Sequence, residues 1–276
     1  MQITAQPNLE HILHFFKQSA IDMGKFQLAN QPTVKLESKG EGEPSSPKDA
    51  ITEVDRYCQE LILRNAIQEG LNELGLLAEE NTPLTRLFNP SSSYKLVVDP
   101  LDGTQNYAKG DEKFGVSLGL MKDDEFVVGV IYVPKREALF GAIAAKGAYK
   151  FDMKTDERHP IQIKKTDLAH VILGYKVSDQ VEQAINKLGI RTSRPKCAVF
   201  IAYSILTDNP KEHANAFLSK DSYLWDIGPG AFIIKEAGGY YELPGSNKWN
   251  MGRALIPSCI ISNSYSDAKA LGSYLR

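Results

Sequence analysis

Apolar residues recur at three- and four-residue steps in two stretches near the N-terminus, and a polar segment separates them. The first stretch runs from Asn8 to Met23 and the second from Asp49 to Gln68. This spacing predicts two amphipathic helices, because side chains three and four residues apart share one helical face. The intervening segment Lys39–Lys48 is rich in glycine, proline and serine, which predicts a connecting loop. A lid or a metal-bearing arm is the functional alternative for that loop.

Short apolar runs follow one another through the rest of the first half. The predicted strands are Leu74–Ala78, Leu96–Val98, Phe114–Leu120, Glu125–Val133, Ala138–Ile143 and Ala148–Phe151. Strands that follow one another without intervening helices favour an antiparallel sheet. The polar segment Lys150–Lys165 is then the predicted crossover to the second half.

In the second half, predicted strands alternate with predicted helices. The strands are Val171–Gly174, Ala214–Leu218, Gly239–Leu243 and Cys259–Ile261, and the helices are Asp179–Leu188, Asp226–Ala237 and Ser266–Tyr274. Alternation of this kind is typical of an α/β layer. We therefore expect an α+β domain over residues 1–155 and an α/β domain over residues 156–276.

Composition and charge narrow the class of protein. The chain has 276 residues, a net charge of -2 and three cysteines, Cys58, Cys197 and Cys259. A near-neutral chain lacks the positive electrostatic field that attracts nucleic-acid polymers. Its few cysteines suit a reducing compartment. We find no signal-peptide pattern and no apolar run of roughly twenty residues, as a membrane span needs. These features predict a cytoplasmic protein with neither a nucleic-acid nor a membrane partner.

The apolar run Leu96–Val98 ends at an acidic turn, Asp99-Pro100-Leu101-Asp102-Gly103-Thr104. Proline restricts the preceding residue to extended geometry, so we expect the chain to turn directly after the strand. Glycine allows close approach of the backbone to a ligand, and amides that begin a helical turn can bind an anion. Taken alone, the motif is either an acidic surface turn or a site for metal and phosphate.

Three further acidic positions have structural alternatives of their own. Thr52 and Asp55 match a helix capping box, and Glu79 lies in an acidic pair that could be a solvated rim. Asp226 fits an N-cap, with Pro229 in the first turn of its helix. The functional alternative for Asp55 is to accept a hydrogen bond from a catalytic hydroxyl or from water.

Five carboxylates are available for one site: Asp55, Glu79, Asp99, Asp102 and Asp226. They would repel one another unless cations lay between them. Carboxylate oxygens without histidine or cysteine select hard cations, Mg²⁺ first. Two such ions bridged by a carboxylate suit the hydrolysis of a phosphate ester.

Together these segments resemble the inositol monophosphatase superfamily, the magnesium-dependent and lithium-sensitive phosphomonoesterases. The matching segments are Asp49-Ala50-Ile51-Thr52 with Asp55, Glu79-Glu80, Asp99 to Tyr107, and Trp225-Asp226 with the helix through Gly239. They occur in the family's order. The resemblance implies a layered α/β/α/β/α sandwich of the sugar-phosphatase type, two or three Mg²⁺ ions, and a small phosphorylated metabolite as substrate. It also implies a possible homodimer.

The same resemblance implies roles for individual residues. Glu79, Asp99 and the Leu101 carbonyl would bind the first metal, and Asp99, Asp102 and Asp226 the second. Residues 1–155 would thus supply most metal ligands, and residues 156–276 would supply Asp226 and the substrate pocket. The implied catalytic residues, which orient and activate water, are Asp55, Thr104 and Glu79. The implied substrate contacts are Asp102, Gly103, Thr104 and Asp226.

The chain departs from the family pattern on the substrate side. Ser219 lies near the position where family members place a substrate-contacting acid, and Lys196 and Lys220 lie nearby. The sequence leaves open whether the two lysines and Asp221 line the pocket, and a solvated surface is the alternative for the lysines. Inositol 1-phosphate leads as the expected substrate class. A 3′(2′),5′-bisphosphate nucleotide or fructose 1,6-bisphosphate is the alternative, because lysines leave room for a second phosphate. A non-catalytic protein that binds metal or phosphate for regulation is the alternative of a different class.

Overall fold

The computed structural model describes residues 6–35, 37–38, 50–244 and 248–275. The predicted loop Lys39–Lys48, together with Asp49, lies outside the described residues. Within the described part of the chain, no helix is long and apolar enough to span a membrane.

The helices and strands of the described chain have the following bounds. The α-helices are α1 (Leu9–Asn30), α2 (Glu53–Gln68), α3 (Thr104–Ala108), α4 (Asp179–Asn186), α5 (Ala198–Leu206), α6 (Leu224–Glu236) and α7 (Tyr265–Leu271). The strands of the first half are β1 (Glu37–Ser38), β2 (Ala50–Ile51), β3 (Gly75–Ala78), β4 (Tyr94–Asp102), β5 (Gly115–Lys122), β6 (Glu125–Val133), β7 (Ala138–Ile143), β8 (Gly147–Phe151) and β9 (Arg158–Ile161). The strands of the second half are β10 (His170–Leu173), β11 (Arg191–Ser193), β12 (Ala216–Tyr223), β13 (Tyr240–Glu242) and β14 (Leu255–Ser262).

Two large sheets contain most of these strands. The first has the order β3-β4-β5-β6-β7-β8-β9 and is antiparallel throughout except for the β3–β4 pair. The second has the order β11-β10-β12-β14-β13, with β10 parallel to both of its neighbours. The two sheets come from successive parts of the chain, as the change of pattern predicts. Their division into separate domains stays a prediction.

Three apolar cores hold the layers together. One joins α1 and α2 to a face of the first sheet, one encloses α5 and α6 between the sheets, and one joins α4 and α7 to the second sheet. The resulting order of layers is α/β/α/β/α, as expected from the sequence. Each sheet is covered by helices on its packed faces, because apolar sheet surface is stable only when another element removes it from water.

Helix α1 is longer than its apolar pattern predicts. It begins after Asn8, whose side chain caps the helix, and continues past Met23 to Asn30. The apolar pattern does not predict the last turns of α1, because the polar residue Gln27 occupies a buried position there. Its Nε2 donates a hydrogen bond to the Pro100 carbonyl at 2.8 Å. A buried polar side chain with a partner satisfies the fold but breaks the apolar periodicity.

Four strands have no counterpart among those predicted from the sequence: the short pair β1 and β2, and the strands β9 and β11. Strand β2 covers residues near the start of the predicted helix Asp49–Gln68, which begins only at Glu53. Strand β9 lies inside the predicted crossover Lys150–Lys165, and β11 precedes the apolar helix α5. Both are edge strands, and their side chains are largely exposed. Edge strands need no apolar alternation, so the backbone pairing that defines them leaves little trace in the sequence.

Candidate active site

Strand β4 delivers the central acidic motif, although the chain does not turn where the sequence predicts. The strand continues beyond Asp99 and Pro100 to Asp102, and its pairing with β5 shifts register between the two aspartates. An irregularity of this kind absorbs the proline, which has no N–H to donate. The chain turns at Gly103, the residue directly after the end of β4, where φ is +84°. The prediction of a turn immediately after Asp99 was therefore wrong.

Glu79 reaches the same region through the parallel pairing of β3 and β4. Ala78 pairs with Val98, and the Glu79 amide donates to the Val98 carbonyl at 3.0 Å. Glu79, directly after β3, therefore lies beside Asp99 of the neighbouring strand β4. This proximity follows from sheet topology, since the two residues are far apart in sequence.

Asp55 lies in the capping box at the start of α2, as the sequence predicts. Its carboxylate accepts hydrogen bonds from the Thr52 amide at 2.8 Å and from the Thr52 hydroxyl. Its second oxygen accepts from Thr104 Oγ1 at 2.9 Å. Burial and the charges of Glu79 and Glu80 raise the pKa of Asp55 to about 7, against the lowering effect of the threonine hydroxyls. Capping and a functional contact thus coexist in one carboxylate.

Thr104 Oγ1 lies between two acceptors. It is 2.9 Å from Asp55 Oδ1 and 3.1 Å from the Leu101 carbonyl oxygen. One hydroxyl has one proton, and an ionised carboxylate is the stronger acceptor. The proton therefore lies toward Asp55, and the lone pairs of Oγ1 stay available to accept a proton from another group.

Asp102 is held by the N-terminus of α5. Its Oδ2 accepts hydrogen bonds from the Val199 amide and from Cys197 Sγ, the latter at 3.0 Å. Burial raises the pKa of Asp102 to about 6, although both of these hydrogen bonds favour the charged form. The sequence did not lead us to predict a role for Cys197. The sequence feature that could have pointed to Cys197 is its position as the N-cap residue directly before an apolar helix.

Asp226 is not the N-cap of its helix but the third helical residue of a capping box. Helix α6 begins at Leu224 with Tyr223 as the N-cap, so Asp226 occupies the third helical position and accepts from the Tyr223 amide at 3.3 Å. Pro229 lies in the second turn and not in the first. The predicted N-cap role of Asp226 was wrong because the helix starts two residues earlier than its apolar pattern indicates.

One cavity of about 160 Å³ brings most of the predicted site together. The predicted residues that line it are Glu79, Asp99, Leu101, Asp102, Gly103, Thr104 and Asp226. Asp55 is fully buried and does not line the cavity, but it lies behind Thr104 and hydrogen bonds to it. The roles inferred for these residues stay predictions.

The electrostatics of Asp99 show how closely the carboxylates interact. Burial, followed by the charges of Glu79, Asp102 and Asp226, raises the pKa of Asp99 well above its ordinary value. Negative charges placed this close in a buried site are unfavourable unless protons or cations neutralise them. The donor set, carboxylates with one carbonyl, fits a hard divalent cation.

The carboxylates do not form a closed ligand cage. Within the described residues, no three His, Cys, Asp or Glu side chains are grouped to hold a metal ion. The chemistry of the donor set nevertheless fits Mg²⁺.

Basic side chains line another part of the cavity wall. Lys196, Lys220 and Arg194 line it, together with Asp221 and Tyr175. The sequence left open whether the two lysines and Asp221 face the site, and the structure shows that they do. Arg194 and Tyr175 were not predicted, because nothing in their local sequence links them to the acidic motifs.

Ser219, where the resemblance leads us to expect a substrate-contacting acid, lies on β12. The serine is buried and hydrogen bonds with the Ser222 hydroxyl. The wall near β12 therefore has no carboxylate at this position.

Comparisons with known proteins agree with this geometry. The model of the inositol monophosphatase family matches residues 8–273. A fructose-1,6-bisphosphatase/inositol-1-monophosphatase from Aquifex aeolicus is 28% identical over 86% of this chain and 88% of its own length. An inositol-1-monophosphatase from Synechocystis is 31% identical over 69% of this chain and 66% of its own.

Solved structures share the fold. An IMPase from Thermotoga maritima superimposes with a TM-score of 0.77 and covers 96% of both chains at 21% sequence identity. The family match spans both sheets and every acidic segment of the cavity. The chain belongs to the inositol monophosphatase family and is a phosphomonoesterase.

Proposed function

We propose that this enzyme hydrolyses a small phosphate monoester in a Mg²⁺-dependent reaction, with water as the nucleophile. The observation that supports the proposal best is that one cavity is lined by Leu101 and by the four acids Glu79, Asp99, Asp102 and Asp226, next to the Thr104–Asp55 pair. Glu79, Asp99 and Leu101 would hold one ion, and Asp99, Asp102 and Asp226 a second. Bound Mg²⁺ supplies positive charge that neutralises the phosphate and acidifies water.

Thr104 and Asp55 handle the proton of the attacking water. Thr104 Oγ1 accepts a proton from water as it passes its own proton to Asp55 Oδ1, 2.9 Å away. The pKa of Asp55, raised by burial to about 7, suits a group that takes up a proton near neutral pH. Glu79 assists by orienting the water. The water oxygen forms a bond to phosphorus as the ester P–O bond breaks. The leaving alkoxide oxygen takes a proton from a solvent water, and the proton held by Asp55 returns to the resulting hydroxide, so that one water is consumed for each ester hydrolysed.

The loop after β4 orients the phosphate. Gly103 is the N-cap of α3 and Thr104 its first residue, and both line the cavity. Amides at the start of a helical turn donate to phosphate oxygens and stabilise the charge that develops in the transition state. Asp102 and Asp226 contact the substrate on the same side.

The relatives order the candidate substrates. Inositol 1-phosphate leads, because the similar proteins are named inositol-1-monophosphatase, and fructose 1,6-bisphosphate follows from the Aquifex relative. A 3′(2′),5′-bisphosphate nucleotide is a further candidate. Lithium inhibition, a homodimer and a cytoplasmic location stay predictions at the family level.

The test is phosphate release from inositol 1-phosphate and from fructose 1,6-bisphosphate, with and without Mg²⁺ and Li⁺. We expect Asp99→Asn and Thr104→Ala each to lower kcat about 100-fold or more, since each removes a group that acts on the transition state. Asp22→Asn is the matched control, because Asp22 is exposed on α1.

Equal rates for wild type and Asp99→Asn would contradict the assignment. Binding of Mg²⁺ and phosphate without turnover of any ester would favour a regulatory protein.

A further inference from the structure

We propose that the physiological ester has a second phosphate group, held by Lys196 and Lys220 on the wall of the active-site cavity. This inference rests on the proposed phosphatase function. Among the candidate substrates it favours the bisphosphates over inositol 1-phosphate, which leads only on the names of the relatives. A neutral polyol monophosphate needs only the phosphate and hydroxyl contacts of the acidic end. Two additional cations in the same cavity fit a second dianion.

The charges on this wall are not equally available. Arg194 is held by Glu182, with Nε and Nη2 at 3.1 and 3.0 Å from one carboxylate oxygen, and it also donates to the Gly174 carbonyl. Asp221 is paired with Lys176 at 3.0 Å. These residues already have partners and add little net charge to the cavity.

The ammonium groups of Lys196 and Lys220 differ in this respect. Among the described residues, neither ammonium has a hydrogen bond or ion pair, and both lysines line the cavity. Nearby, Ser219 is neutral and hydrogen bonds to Ser222. Asp221 on the same wall is paired with Lys176. Within the described residues, the two lysine ammonium groups therefore have no acidic partner of their own, and a phosphate would supply one.

The backbone at Lys196 supports a functional reason for this side chain. Its φ is +57°, in the left-handed region that favours glycine. A lysine there is strained in a way that glycine would not be, and strain of this kind concentrates at ligand sites. Asp221, the neighbour of Lys220, also has a positive φ of +51°. Both lysines therefore lie on segments of unusual backbone at the cavity.

The experiment compares esters that differ only by the second phosphate. The pairs are fructose 1,6-bisphosphate with fructose 1-phosphate, and adenosine 3′,5′-bisphosphate with adenosine 3′-monophosphate. For wild type we expect kcat/KM to be about tenfold higher for the bisphosphate of at least one pair, as one charge-assisted contact provides. Lys196→Gln and Lys220→Gln are each expected to lower that ratio about fivefold or more. Lys187→Gln, an exposed lysine after α4, is the charge-matched control and should keep the ratio.

A further variant separates binding from folding. Lys196→Gly removes the cation but suits a positive φ, so we expect a Tm equal to or above that of wild type together with a lowered ratio. A lysine with a purely structural role would not show this combination.

Three results would overturn the inference. A wild-type ratio near one for both pairs would show that no second phosphate is recognised. Equal losses for monophosphate and bisphosphate in the lysine variants would place these lysines on the scissile phosphate. If wild type hydrolyses none of the esters, the proposed function fails. The subsite is then judged by calorimetric affinities for each pair, and equal affinities would overturn it as well.

Discussion

Gly103 lies where β4 ends and the short helix α3 begins, and no other residue type fits there. Its φ is +84°, and a Cβ at this position would lie 2.7 Å from the Lys113 carbonyl oxygen and 3.1 Å from Cys197 Cβ. The backbone that presents amides to the cavity therefore depends on the absence of one methyl group. The sequence marks the glycine as a point of close approach. The neighbours that it approaches become visible only in the fold.

We expect Gly103→Ala to lower the free energy of unfolding by about 1–3 kcal/mol or more, from left-handed backbone strain together with the steric clash. Gly110→Ala isolates the first contribution, because Gly110 has φ +76° and a Cβ added there would have no heavy atom within 4 Å. Urea unfolding of the two variants measures the difference. If Gly103→Ala is as stable as Gly110→Ala, the Lys113 carbonyl moves away from the added Cβ at no cost in free energy, which would contradict the steric part of the prediction.

At the level of elements, the ends of helices place the carboxylates. Asp55 lies in the first turn of α2, Asp226 lies in the first turn of α6, and the first turn of α5 holds Asp102. The N-terminal end of a helix stabilises negative charge through its free amides and its dipole. Three helices thus stabilise charges that would otherwise repel one another in a buried site.

Helix α5 provides a prediction about this arrangement. Cys197 Sγ lies 3.0 Å from Asp102 Oδ2 and also accepts from the Phe200 amide. We expect Cys197→Ala to weaken Mg²⁺ activation about tenfold, because a partner that orients a metal ligand is lost. Cys197→Ser keeps a donor and should stay close to wild type. The Mg²⁺ dependence of phosphate release measures both variants, and equal dependence in the two would contradict the role of the thiol.

Over the whole molecule, the buried acidic site makes stability depend on pH and on metal. Burial raises the pKa values of Asp55 to about 7 and of Asp102 to about 6, and that of Asp99 is raised well above its ordinary value. In the unfolded chain these groups titrate near about 4. The folded state therefore binds more protons between these limits, and stability falls as pH rises through the window.

With a chelator present, we expect the Tm to fall between about pH 5 and pH 8. Mg²⁺ should restore more stability at pH 8 than at pH 5, since cations replace the lost protons. Asp99→Asn should show a smaller fall in Tm. Other groups, such as His170, whose pKa is lowered by burial, contribute equally to the pH dependence of both proteins, so the difference between them reports on Asp99. Circular dichroism melts at each pH measure these values. A Tm that stays constant or rises in chelator would contradict the electrostatic account.

The acidic segments and their family could be recognised from the sequence, because each is a contiguous motif with its own local signal. The strand before Asp99 and the capping box at Asp55 depend on neighbouring residues alone. The start of α6 and the edge strands β9 and β11 could not be predicted. Asp226 is as good an N-cap as it is a third helical residue, and edge strands are defined by partners distant in the chain.

The sequence by itself determined the chemistry that is available: the acids, the glycine, the hydroxyl and the order in which they occur. Only the tertiary structure decided which of them meet. Parallel pairing of β3 with β4 puts Glu79 beside Asp99, and α5 brings Cys197 to Asp102. The same packing turns Lys196 and Lys220 toward the cavity. Local patterns depend on contacts a few residues apart, whereas the site depends on contacts between distant segments, which only the packed layers specify.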